Sequence, residues 1–151
     1  MLRLTAALTL AALPALGQSM QPTVMDCDGW QANARNIAEP WEQNTRTFSN
    51  GKTRLALIDT VEPVGGWGYL MILSPPYDEL GFRQCKLIGN GGMGFSHLDF
   101  AALQSDYDPA QGLIFTLPAG YYVTGMDSDP VFDLRIVLNQ ATGRIDTWVL
   151  D

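Results

Sequence analysis

Asp106 and Asp108 form one pair of carboxylates, and Asp127, Asp129 and Asp133 form a second group. Oxygen-rich loops hold calcium, and two carboxylates at a suitable separation hydrolyse a glycosidic bond. The EF-hand pattern fails: counted from Asp106, the sixth position is Gln111, where glycine is required for the sharp turn. Asp127-Ser128-Asp129-Pro130 also reads simply as a turn, because aspartate initiates turns ahead of proline. Sequence spacing does not fix the distance between carboxylates in space. Asp106, Asp108, Asp127 and Asp129 therefore stand as candidate calcium ligands or acid/base groups, with turn formation as the plainer alternative.

The other reactive types are sparse. His97 is the only histidine, so a Ser-His-Asp triad would have to use it, and no G-x-S-x-G elbow is present. A turn or surface role for His97 is preferred. Gly89-Asn90-Gly91-Gly92-Met93-Gly94 satisfies G-x-G-x-x-G, but dinucleotide binding needs a parallel βαβ unit around that motif. The surroundings read as antiparallel β, so no cofactor is expected and the segment is read as a glycine-rich connection. Cys27 and Cys85 are the only cysteines. They are far apart and form no C-x-x-C, which favours a structural disulfide pinning the N-terminal segment to the body.

Aromatic residues supply the candidate binding groups. Tyr121 and Tyr122 lie in one short strand, and Trp148 falls near the end of another. Strict alternation from Ile145 places Trp148 on an outer face with Arg144 and Asp146. An exposed tryptophan is a binding anchor. A β-bulge, or cover by an N-terminal helix, would instead bury it.

These groups must be positioned by a mainly β chain. Asp28 and Gln31 read as a capping box opening a helix over about 29–39. Trp30, Ala34, Ile37 and Trp41 line one face of it, packed on a sheet, and Pro40 ends it. From 44 onward the period becomes two. Asn50-Gly51 signals a hairpin. Trp67 to Leu73 is apolar enough for a strand buried on both faces, Ser74 to Gly81 reads as a proline-rich loop, and Phe82 to Ile88 is a further strand. Strands are also expected at about 100–107, 113–117, 121–124, 131–138 and 144–150, with a short helix capped by Ser96 and Asp99 and running through Leu103 as the alternative for the first. Asp108 to Gly112 and Asn139 to Gly143 share a pattern, an Asx residue with glycine four positions on, which suits a turn with left-handed glycine. About eight short strands with frequent turns indicate an antiparallel β-sandwich or small barrel with one short N-terminal helix.

Composition sets the context. Residues 1–17 combine Arg3, an apolar run from Leu4 to Leu13, Pro14 and the small residues Ala15 and Gly17. That arrangement is a secretory signal peptide, leaving one exported domain over 18–151, periplasmic or secreted. The run is too short to span a membrane. Asp26 directly before Cys27 is wrong for a lipoprotein signal, so no stable membrane anchor is expected after cleavage. The net charge of −7, with 9 basic residues against 16 acidic, excludes a nucleic-acid binder and disfavours anionic membranes. The chain reads as a small exported β-domain that binds a protein or envelope component without catalysis. The alternative is a carboxylate-dependent hydrolase acting on an envelope glycan.

Overall fold

Alternation of apolar and polar residues over Val131–Leu138 puts Leu134, Ile136 and Leu138 on one face of a strand, and that face is fully buried. The same logic builds most of the molecule. In a computed structural model of the chain, residues 21–62 and 64–150 are described. The expected signal peptide lies outside the described residues. Ten strands form two antiparallel sheets: β1 (Thr23–Asp26), β2 (Thr45–Phe48), β3 (Thr53–Asp59), β4 (Gly68–Tyr77), β5 (Arg83–Gly89), β6 (His97–Leu98), β7 (Gln104–Asp108), β8 (Gly112–Gly120), β9 (Val131–Leu138) and β10 (Ile145–Leu150). The first sheet runs β1-β5-β4-β3-β2. The second runs β10-β9-β8-β6, with β7 beside β8. This is the sandwich arrangement. Leu55, Leu70, Ile72 and Ile88 of the first sheet meet Phe115, Leu117, Leu134 and Ile136 of the second in one core.

The first sheet is buried on both faces, as the apolar run in β4 demanded. On its outer side Ala56, Ile58, Tyr69, Met71 and Leu87 form a second cluster, covered by Met25, Cys27, Ala32 and Ile37 from the N-terminal segment. The Cys27–Cys85 disulfide joins that segment to β5, and backbone pairing of Ile37 with Ile58 continues the attachment. Among the described residues no helix is long and apolar enough to cross a membrane.

The N-terminal helix differs from expectation. The span 29–39 holds two single 3-10 turns, Trp30–Ala32 and Ala34–Asn36, and a short α-helical turn, α1 (Trp41–Asn44), follows Pro40 instead of ending there. Asn33 explains the break. Its backbone is extended, and its side-chain oxygen accepts the Arg35 N–H, which competes with a continuous helix. The Asn36 amide then donates to the carbonyls of Trp30 and Gln31. The predicted capping box does not form, since Gly29 is the cap residue and makes no side-chain bond. Trp30 and Trp41, expected against the sheet, are 58% and 48% exposed.

Three further boundaries move. β4 continues through the prolines to Tyr77, with a register irregularity between Ser74 and Tyr77. The strand expected at about 100–107 begins only at Gln104 (β7), after the short β6 has ended at Leu98. Between them Asp99 accepts the Ala102 N–H, Phe100 is buried, and Arg46 donates to the Leu103 and Ala101 carbonyls. The 121–124 segment is not a strand. β8 ends at Gly120, and Tyr121 donates its N–H to Pro130 O.

Candidate functional site

The two sheets differ in what covers them. The N-terminal segment covers the outer face of the first, whereas among the described residues no other segment covers the outer face of the second. β10 pairs with β9 without a break from Ile145 to Leu150, so no bulge turns Trp148 inward. Trp148 is 44% exposed and lies directly opposite Arg135. Leu150, two residues on, is also exposed. Gln111, Arg135, Trp148 and Leu150 line a recess of about 300 Å³. Asp106, Thr116 and Arg135 help to line a neighbouring recess of about 400 Å³. Arg135 is the wall common to both. The alternation over 131–138 already put Arg135 on this face, but only cross-strand pairing shows that it adjoins Trp148.

The carboxylates do not converge. Asp106 pairs opposite Ile114 near one end of β8, while Val131, just after Asp129, pairs opposite Gly120 at the other. At the rise of a strand that interval is about 20 Å. Asp106 accepts the N–H of its neighbour Tyr107. Asp108 accepts the Ala110 N–H at 2.7 Å and the Gln111 amide at 3.0 Å. The Ala110 bond, with help from Gln111, holds the Asp108 carboxyl below its ordinary value, the opposite of what a general acid needs. Asp129 accepts the Val123 N–H and closes its own loop, and Asp127 is exposed in that loop. Among the described residues no group of three or more His, Cys, Asp or Glu side chains is placed to hold a metal ion. The four candidate aspartates are thus not one calcium or acid/base site.

The tyrosine pair divides. Tyr121 is 3% exposed, stacked near Phe95 and 4.5 Å from the Phe132 ring centroid. It is a core residue, packed under the surface and not presented on it as Trp148 is. Its position after Gly120 lets it fill the open end of the sandwich, and burial pushes its hydroxyl up to about 12. Tyr122 points the other way and is 39% exposed.

The remaining motifs sit in turns and at the sandwich edge. Gly91 and Gly92 have positive φ and form a tight turn closed by mutual bonds between Asn90 and Met93. Gly94 passes so close to the backbone of Gly66 and Gly68 that a side chain there would meet their atoms at 2.7–2.8 Å. His97 lies on β6, exposed, opposite Gly120. The Asp108 and Asn139 turns match each other: each Asx side chain accepts the N–H two residues on, and Gly112 and Gly143 have positive φ.

A second feature was not visible in the sequence. At one end of the sandwich the β2–β3 turn faces the β9–β10 turn across a cleft of about 660 Å³. Tyr77, Tyr107, Asn50, Lys52 and Gln140 are among its lining residues. Its members come from five separate segments, and no local pattern links them.

Comparison with family models, with curated proteins and with solved structures finds no match for this chain.

Proposed function

We propose that the protein is an exported binding domain that docks a partner protein on the open face of its second sheet. The observation that carries the reading is Trp148, held half-exposed on an unbroken strand beside Arg135 and Leu150. A large aromatic ring with an arginine is the usual composition of an interface anchor. The face also carries Asp106, Asp133 and Asp146 on the outward positions of β7, β9 and β10. With a chain charge of −7, this favours a partner with an apolar knob ringed by basic residues. Export to the periplasm or beyond is supported by the leader composition of residues 1–17 and by the disulfide.

The test is photo-crosslinking from position 148 in an envelope extract, with position 52 at the far cleft as control. A discrete basic protein should be captured from 148 only. Its binding should weaken with salt and fall at least about tenfold on Trp148→Ala. Equal capture from both positions, or unchanged binding by Trp148→Ala, would overturn the reading. Glycan turnover by the purified domain, lost on Asp106→Asn, would favour the hydrolase instead.

A further inference from the structure

The end cleft is built differently from the open face. Its volume, about 660 Å³, is that of a small-ligand site. Two aromatic rings border it, Tyr77 at 51% and Tyr107 at 60% exposure. Asn50 and Lys52 reach it from the β2–β3 turn, and neither side chain has a hydrogen-bond partner among the described residues. The turn is held in an uncommon conformation: Ser49 and Asn50 have φ of 53° and 54°, a region that non-glycine residues rarely occupy. Such geometry persists where the surroundings fix it. Here Ser49 donates its hydroxyl to the Gln140 oxygen, and the Gln140 amide donates to Thr53 Oγ1. The opposite wall is fixed too, because Gln84 donates to both Ser74 Oγ and the Gly143 carbonyl. The turns that frame the cleft are therefore held by bonds of their own.

Its charge runs against that of the chain. Acidic residues number 16 against 9 basic, yet none of the described residues lining the cleft is acidic. Of the carboxylates adjacent to lining residues, Asp78 accepts the Leu80 and Phe82 N–H groups and Asp108 those of its own turn, while Asp106 lines the neighbouring recess on the outer face. Arg83, paired opposite Tyr77, donates to the Gly51 carbonyl and adds a second positive charge beside Lys52.

We propose that this cleft binds an acidic saccharide, a short sugar chain bearing a carboxylate. Tyr77 and Tyr107 supply apolar faces for sugar rings, with hydroxyls at their tips. Asn50 donates and accepts hydrogen bonds with sugar hydroxyls. Lys52, aided by Arg83, pairs with the carboxylate. The site is separate from the Trp148 face and does not depend on it.

The experiment is calorimetric titration of the domain with trigalacturonate, with galactotriose as the neutral control and triglutamate as the acidic peptide control. Trigalacturonate should bind, about fivefold more tightly than galactotriose. Tyr107→Ala and Tyr77→Ala should each weaken it about tenfold or more. Lys52→Gln should narrow the gap between the two sugars, Lys52→Gln with Arg83→Gln should close it, and Trp148→Ala should change nothing. No heat with trigalacturonate up to about 10 mM, a range that covers weak binding, would overturn the proposal. So would equal affinity for the two sugars in the unsubstituted domain, insensitivity to both tyrosine substitutions, or triglutamate binding as tightly.

Discussion

Gln140, in the turn after β9, donates its amide to the hydroxyl of Thr53 on β3 at 2.8 Å, and Thr53 is wholly buried. This bond crosses from one sheet to the other and fastens the two turns that face each other over the end cleft. Gln140→Ala leaves a buried hydroxyl without a partner, which costs about 1–3 kcal/mol. For a chain of this length the melting temperature should fall by about 3–10 °C. Thr53→Val in the Gln140→Ala background should cost little more, because both partners are then gone. Melts followed by circular dichroism over this double-mutant cycle check it. Additive losses would mean that the bond contributes nothing as a pair.

The Cys27–Cys85 bridge closes a separation of 58 residues. A constraint of that length on the unfolded chain is worth about 4 kcal/mol. Cys27→Ser should therefore lower the melting temperature by about 10 °C or more. It should also loosen the cover over Met71 and Leu87, which protease digestion of the N-terminal segment would reveal. An unchanged melting temperature would remove the structural role of the bridge.

The antiparallel strands and their turns are readable because each rests on a local rule, whereas sandwich or barrel is decided by how the sheets stack and stays open in the sequence. Alternation over 131–138 fixed which residues face the core, and the Asx–glycine pattern fixed two hairpin turns. The helix over 29–39 was misread for a local reason as well: the apolar spacing was helical, but Asn33 and Asn36 divert the backbone into separate turns. Trp148 could be placed on the outer face from alternation alone. Whether something covered it depended on which sheet the N-terminal segment chose, and that is a tertiary choice. Tyr121 and Tyr122 are adjacent and alike in type, yet one fills the core and the other faces outward. The cleft was invisible because Asn50, Tyr77, Tyr107 and Gln140 meet only when the two sheets stack.

Asp108 gives an acid-side prediction. Its carboxyl is held below its ordinary value of 3.8, first by the Ala110 N–H and then by the Gln111 amide. A lowered folded value contributes stability above the unfolded value, and that contribution disappears as pH falls through the folded value. Asp108→Ala should therefore melt lower than the unsubstituted protein at pH 6, and the two should converge toward pH 2. Parallel pH profiles would show that the turn bonds do not favour the charged form.

Tyr121 gives the alkaline counterpart. Its ring is packed among Phe95 and Phe132, its hydroxyl has no hydrogen-bond partner among the described residues, and burial raises it from 10.0 to about 12. In the unfolded chain the hydroxyl ionises near pH 10, while the folded chain holds the proton longer. The folded state then binds more protons than the unfolded state between pH 10 and about 12, so stability falls as pH rises through that window. The loss across the whole window amounts to about 3 kcal/mol. Tyr121→Phe keeps the ring and deletes the orphaned hydroxyl, so at pH 7 it should be neutral or stabilising by up to about 1 kcal/mol. It should also flatten the alkaline decline. Chemical denaturation of both proteins at pH 7, 10 and 11.5 decides the matter. Loss of stability at pH 7 on Tyr121→Phe would mean that the hydroxyl makes a stabilising bond in the folded protein.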